Sequence, residues 1–255
     1  MKEPVYVPVI VTAKAMFKAL GLKIDVRGAA NVPPTGGAVL ASNHISYLDF
    51  IFAGLGANPA GRYVRFMAKD TVWDHRIAGP LMRGMKHIPV DRAAGAGSLA
   101  AGLDSVRRGE VVGVFPEATI SQSFELKGFK NGAARMAAEA DVPLVPLVLW
   151  GTQRMMTKGR PRDFSRGKAV LITVGEPLHP KRTDDVNTVT AELHARMAAL
   201  LEDAVARYPQ QPSGADDRWW LPTRFGGTAP TLAEAAALEV AERRARAAKS
   251  RAAGA

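Results

Sequence analysis

The sequence predicts an α/β fold: a mixed, largely parallel central sheet flanked by helices, with an N-terminal amphipathic helix and a C-terminal helical extension. Three observations predict it. Short runs rich in Val, Leu and Ala alternate with longer stretches at helical spacing, the pattern of strands joined by crossover helices. The chain has 255 residues, 47% of them apolar, which is enough for one sizeable core without disulfide or metal staples. The chemistry-bearing clusters stand just past the apolar runs, where the carboxyl ends of parallel strands gather sites.

Taken in order, Val5 to Leu22 contains Pro8, Lys14 and Lys18 and has no cationic segment followed by a small-residue cleavage site, so it does not read as a signal peptide. Val11, Ala15, Met16, Ala19, Leu20 and Leu22 recur at helical spacing opposite the two lysines, predicting a helix that lies on a surface. That surface is either the protein's own core or a lipid interface. No stretch approaches the ~18–20 uninterrupted apolar residues of a membrane span. Ala38 to Ala41, Tyr63 to Ala68, Val111 to Phe115, Leu144 to Leu149 and Val170 to Val174 read as buried strands; Leu48 to Leu55, Ala96 to Arg108 and Asn131 to Ala140 read as helices. Val186, Val189, Leu193, Met197, Leu200, Leu201 and Val205 trace one stripe, a helix that closes the folded core near Tyr208. The chain thus divides into an N-terminal helical segment over 1–23, a domain over 24–208 and an extension over 209–255. Tyr208 to Pro230 is rich in Pro and Gly and reads as a wrap or linker. Thr231-Leu232-Ala233-Glu234 is a capping box opening a helix, whose i, i+4 pairs Glu239 with Arg243 and Glu242 with Arg246 predict a solvated exterior.

Thirty-four Lys and Arg against 24 Asp and Glu leave a net charge of +10, which predicts an anionic partner: nucleic acid, a phosphorylated metabolite or an acidic membrane. The absence of cysteine excludes disulfides, thiolate nucleophiles and Cys-type zinc sites. Nucleic acid is not expected, because no stacking aromatics interleave with the basic residues.

Three clusters carry candidate chemistry. Asn43-His44-Ile45-Ser46-Tyr47-Leu48-Asp49 follows the strand Ala38 to Ala41. Five helical steps rotate about 140° beyond a full turn, so His44 and Asp49 do not share a helix face. They suit a strand-to-helix turn, with Asp49 in the first helical turn reaching back to fix the tautomer of His44, whose other nitrogen would take a proton from a hydroxyl. Ser46 and Asp49 equally form an S-x-x-D capping box, in which Asp49 only caps a helix. Phe115-Pro116-Glu117-Ala118-Thr119 ends a strand and presents Glu117, either to a substrate hydroxyl or a cationic neighbour, or to solvent. Ile88-Pro89-Val90-Asp91-Arg92 places an arginine past a third run, where its fork suits a phosphate, with Lys130 adding a point charge. Five basic residues from Lys158 to Lys168 offer a further anionic contact or simply a solvated loop.

These blocks, in this order, resemble the glycerolipid acyltransferase family typified by 1-acylglycerol-3-phosphate acyltransferases. His44 to Asp49 matches its N-H-x-S-x-x-D block, Ile88 to Arg92 its I-x-x-x-R block, Phe115 to Thr119 its F-P-E-G-T block, Phe129-Lys130-Asn131-Gly132 its F-K-x-G and Val142 to Pro146 its V-P-x-x-P block. The resemblance covers approximately Ile24 to Pro177. It implies a catalytic domain over 24–208 that moves a fatty acyl group from an acyl-CoA or acyl-carrier-protein thioester to a 1-acylglycerol-3-phosphate hydroxyl, giving phosphatidic acid. It implies His44 and Asp49 as the catalytic pair, and Arg92, Glu117, Lys130, Asn43, Ser46 and Thr119 as substrate-binding residues. No metal and no tightly bound cofactor are implied; the thioester is a co-substrate, and acyl carrier protein is one of two possible donor carriers. An anionic membrane surface joins the lysophospholipid as a partner, with the protein peripheral on the cytoplasmic face. The opening helix then becomes a candidate anchor, and Trp219, Trp220 and Phe225 either sit at headgroup depth or pack over the domain. The family's third-block glycine is Ala118 here, and Ile120 to Glu125 lacks the basic residue often found there. Both departures leave another lipid or glycolipid hydroxyl as an alternative acceptor; a non-catalytic lipid-binding homologue is a separate alternative, against which the intact set of His44, Asp49, Arg92 and Glu117 argues.

Overall fold

The structure is a computed structural model that describes residues 3–91 and 95–253. Seven strands form one sheet: β1 (Lys23–Arg27), β2 (Ala38–Ser42), β3 (Val64–Lys69), β4 (Ile88–Val90), β5 (Val111–Val114), β6 (Leu144–Trp150) and β7 (Ala169–Val174). They lie in the order β1-β7-β6-β2-β5-β3-β4. Every neighbouring pair is parallel except β6 and β7, so β1 and β7 run against the other five. The mixed, mainly parallel sheet that the sequence predicts is therefore present.

The central strands are continuous apolar runs because both faces are covered. Their side chains alternate between two cores. Val39 and Ala41 of β2, with Leu144, Val148 and Trp150 of β6, pack under α4 (Gly95–Arg107), α5 (Gly132–Ala140) and α6 (Val186–Ala206). Leu40 of β2, with Val145, Leu147 and Leu149 of β6, packs under α1 (Tyr6–Ala19) and α2 (Asp49–Ala57). The remaining helices are α3 (Ala78–Gly84), before β4, and α7 (Leu232–Ala253) at the C-terminal end. Five predicted strands and four predicted helices coincide with β2, β3, β5, β6, β7 and α2, α4, α5, α6 within a residue or two. The edge strand β1, with charged ends, and the short α3, which contains Gly and Pro, had no clear periodicity to announce them.

Helix α1 forms where predicted but turns its other face inward. Val7, Val11 and Met16 are exposed, whereas Tyr6 and Phe17 are buried, the latter stacked on Phe52 at 4.8 Å. The rings win this contest: each removes far more apolar area from water than a Val or Met, and the Tyr6 hydroxyl also donates to the Val64 carbonyl at 2.8 Å. A buried ion pair fixes the start of this helix. The Arg65 guanidinium on β3 donates to Glu3 at 2.5 Å, to Glu110 at 3.1 Å and to the Met85 carbonyl at 2.9 Å.

The C-terminal extension also departs from expectation. The capping box is made, with the Thr231 amide donating to Glu234 at 2.8 Å and the Glu234 amide to Thr231 Oγ1 at 3.3 Å. The helix is not wholly solvated: Glu242 pairs with Lys158 at 2.5 Å and Glu239 with Lys127 at 3.2 Å, so α7 docks on the body of the protein. The Glu239 and Arg243 pair forms at 2.6 Å, while the side chain of Arg246 lies outside the described residues. The wrap before α7 packs down as one of its two readings has it. Trp220 is buried beside Tyr208 and under the Arg154 guanidinium, and Trp219 meets Phe124 and Arg160.

Replacing Arg65 by Ala leaves Glu3 and Glu110 without their shared cation in a low-dielectric site. Chemical denaturation should show a loss of about 3–5 kcal/mol; a loss below about 1 kcal/mol would mean the network contributes little.

Candidate active site

The β2 strand delivers the chain to the site. At its carboxyl end Asn43 is buried and its side-chain amide extends the sheet, donating to the Leu149 carbonyl at 3.0 Å and accepting from the Leu149 amide at 2.7 Å. His44 then lies in the turn, and Asp49 is the first residue of α2, as the spacing argument requires. Asp49 is completely buried, and its carboxylate is filled with donors. Oδ2 accepts from His44 Nδ1 at 3.0 Å, from the Ile45 amide at 2.7 Å and from the Ser46 amide at 2.7 Å; Oδ1 accepts from Thr152 Oγ1 at 2.7 Å. Only half of the capping box is made: the carboxylate reaches back to the Ser46 amide while also holding the ring, whereas the Ser46 hydroxyl accepts from the Leu48 amide at 3.1 Å and does not cap the Asp49 amide. A carboxylate is acceptor-only, so its contact places the imidazole proton on Nδ1 and leaves Nε2 with a free lone pair. Ser46 braces the turn from the other side, its hydroxyl donating to the Met156 carbonyl at 2.7 Å.

The loop after β5 clamps the same turn. Glu117 Oε1 accepts from the His44 amide at 2.9 Å and Oε2 from the Lys127 amide at 3.1 Å, while the Ser121 amide donates to the His44 carbonyl at 2.7 Å. Glu117 is buried and both its oxygens are committed to backbone, unlike the expected substrate-binding or solvated carboxylate. Burial pushes its carboxyl up to about 8, against the lowering by the two amide donors and the Lys127 charge. Ala118 adopts φ +64, a left-handed conformation that costs a non-glycine residue roughly 1–2 kcal/mol. The substitution at the family's glycine position therefore leaves the turn in place at the expense of strain. Phe115 stacks on the His44 ring, with centroids 4.2 Å apart and an interplanar angle of 20°.

His44 and Phe115 open into a cavity of about 300 Å³ whose walls include Met67, Val90, Leu99 and Met136, with Lys130 and Ala118 also lining it. Lys130 is exposed and its side chain makes no hydrogen bond or ion pair among the described residues. Thr119 reaches the C-terminal helix instead of open solvent, donating to Glu239 at 3.1 Å and accepting from Lys127. Arg92 lies outside the described residues. Of the five basic residues from Lys158 to Lys168, Lys158 is held by Glu242, Arg160 by Trp219 and Lys168 by Asp163, while Arg162 and Arg166 are exposed. Sequence reasoning missed Thr152, Met156 and Lys127, which touch the site from 103, 110 and 8 positions away. For the first two no local pattern could announce them.

The carboxyl end of a parallel strand thus carries a His-Asp pair beside an apolar-walled cavity that Lys130 also lines. Comparison with known proteins identifies the family. Residues 23–150 match the family described as Acyltransferase. The chain is 31% identical over 193 residues to the 1-acyl-sn-glycerol-3-phosphate acyltransferase of Bacillus subtilis, covering 74% of this chain and 89% of that one. It is 28% identical to 1-acyl-sn-glycerol-3-phosphate acyltransferase alpha of Bos taurus, over 72% of this chain and 64% of that protein. Its fold matches the crystal structure of the 1-acyl-sn-glycerophosphate acyltransferase PlsC from Thermotoga maritima with a TM-score of 0.68 and 23% identity, covering 80% of each chain. The chain belongs to the glycerolipid acyltransferase family and is an O-acyltransferase.

The Glu117 carboxyl has a folded-state pKa raised above its ordinary value of 4.5 to about 8. Between those values the native state holds a proton that the unfolded chain has released, so this group lowers stability as pH rises. Glu117→Gln removes the titration: wild-type stability minus variant stability, from denaturation curves, should fall from pH 5 to pH 8. A difference that stays constant would show Glu117 ionised throughout.

Proposed function

We propose that this protein acylates the free hydroxyl of 1-acylglycerol-3-phosphate to give phosphatidic acid, taking the acyl group from an acyl-CoA or acyl-carrier-protein thioester. The observation that carries the reading is the His44 Nδ1 contact with buried Asp49, which leaves Nε2 as a base over an apolar-walled cavity. The names of the relatives supply the acceptor class.

In this mechanism His44 Nε2 takes the proton of the acceptor hydroxyl as that oxygen attacks the thioester carbonyl carbon. Asp49 stabilises the imidazolium that forms. The tetrahedral intermediate collapses with cleavage of the C–S bond, and the imidazolium returns the proton to the departing thiolate. No acyl-enzyme is needed, which accords with a chain free of cysteine. Lys130 attracts the acceptor phosphate, and Met67, Val90, Leu99 and Met136 receive an acyl chain. Glu117, Asn43 and Ser46 act as positioning residues, because each uses its polar atoms on backbone groups that hold the His44 turn.

The same reading gives α1 a role at a membrane. Among the described residues no helix is long and apolar enough to cross a bilayer. Val7, Val11 and Met16 of α1 are exposed together with Phe50, Ile77 and Leu81, and α1, α2 and α3 share an apolar groove of about 220 Å³. Lys14, which donates to Asn58 at 2.6 Å, and Lys18 are exposed on the same helix, and with a net charge of +10 they favour an anionic leaflet.

His44→Ala should lower kcat by about a thousandfold in a protein that still folds; turnover within a few-fold of wild type would overturn the mechanism. Val11→Asp should weaken co-sedimentation with phosphatidylglycerol vesicles by about tenfold. Unchanged co-sedimentation would remove α1 from the membrane surface.

A further inference from the structure

Helix α7 has no part in the mechanism so far, yet it reaches the edge of the catalytic cavity. Glu239 accepts from three donors: Thr119 Oγ1 at 3.1 Å, Lys127 Nζ at 3.2 Å and the Arg243 guanidinium at 2.6 Å. These contacts hold its carboxyl well down, at about 2. One turn on, Glu242 pairs with Lys158 at 2.5 Å. Between this helix and the Glu117 loop lies a second cavity of about 270 Å³, lined by Thr119, Lys158, Arg243 and the two glutamates, and sharing Ala118 and Lys130 with the catalytic cavity.

The two cavities divide by chemistry. The catalytic one is walled chiefly by Met, Val, Leu and Phe; the second is walled chiefly by charge. Three cations, Lys130, Lys158 and Arg243, line it against two carboxylates, an excess of one positive charge, and Lys127 pairs with Glu239 beside it. Lys127 and Lys158 are each tied to a glutamate, so the uncommitted donors are the Lys130 ammonium and the guanidinium N–H groups that Arg243 does not spend on Glu239. A guanidinium held at one edge by a carboxylate and open at the other, beside a free ammonium, is a donor set suited to a phosphate.

We propose that α7 walls a polar subsite for the phosphate end of the acceptor, in which Lys130 and Arg243 are the binding cations and Glu239 holds Arg243 in place. The subsite deepens the acyltransferase reading and rests on it: the acceptor's phosphate lies against α7, its hydroxyl at His44 and its chain in the apolar cavity. Arg243 becomes a specificity-determining residue contributed by an extension beyond the matched family region.

The test compares Arg243→Ala, Arg243→Lys and Arg244→Ala, the last removing the same charge from the next position of the helix without lining the cavity. Steady-state kinetics with lysophosphatidate and acyl-CoA should show the acceptor KM raised about tenfold in Arg243→Ala, with donor KM and kcat within about twofold, partial recovery in Arg243→Lys and wild-type values in Arg244→Ala. An unchanged or lowered acceptor KM overturns the subsite, the latter by showing α7 as an obstruction. Equal effects of Arg243→Ala and Arg244→Ala, or parallel changes in kcat and both KM values, also overturn it, as diffuse attraction or a structural role. Calorimetric titration with lysophosphatidate and with monoacylglycerol separates this inference from the activity. If wild type transfers nothing to lysophosphatidate the proposed function fails. The subsite then stands only if lysophosphatidate binds more tightly than monoacylglycerol and Arg243→Ala abolishes the difference.

Discussion

The Asp49 carboxylate is the point on which the site depends. It is removed from water, and an ionised carboxylate there is tolerable only with its lone pairs filled. The four donors come from three places: the amides of Ile45 and Ser46, the His44 ring and the Thr152 hydroxyl beyond β6. The same contacts that make its burial affordable shape the β2–α2 turn, orient the imidazole and choose its tautomer. The geometry of the His44 and Asp49 pair and the folding of the turn are here a single interaction.

Around that point, three connections converge. The loop after β5 grips His44 at both backbone groups, through Glu117 and the Ser121 amide. The loop after β6 takes the Ser46 hydroxyl, the Tyr47 amide and the Ile45 carbonyl. Helix α7 then seals the outer side by pairing with Lys127 and Lys158. Adjacent parallel strands make this convergence possible, since β5, β2 and β6 lie side by side and release their loops at one edge. The strained Ala118 sits inside this frame, and the bonds around it hold a conformation that alanine alone disfavours.

Most elements were legible because burial on both faces writes long apolar runs, as in β2 and β6, and because a helix packed on a sheet keeps a stripe, as in α6. Less legible were a helix with two apolar faces and a charged face whose partners lie far along the chain. In α1 a Val and Met stripe and a Tyr and Phe stripe lie on one helix, and only the packing partners Phe52 and Val64 decide between them. The charged face of α7 reads as solvated because a glutamate at i, i+4 from an arginine is satisfied locally; its further bonds to Lys127 and Thr119 join residues 112 and 120 positions apart.

By itself the sequence determined the α/β class, the turn that brings His44 and Asp49 together and the family, because each rests on local spacing or on blocks in fixed order. Tertiary structure decided which polar residues of those blocks bond to the backbone of the His44 turn. Glu117, Asn43 and Ser46 carry the same atoms whether they bind substrate or backbone, and only the neighbours across the sheet edge show that their bonds are spent on holding the turn. The tertiary structure also brought Arg243 and Lys130, 113 positions apart in the chain, to one cavity. Burial and long-range pairing are properties of the folded chain, and no window of sequence contains both partners.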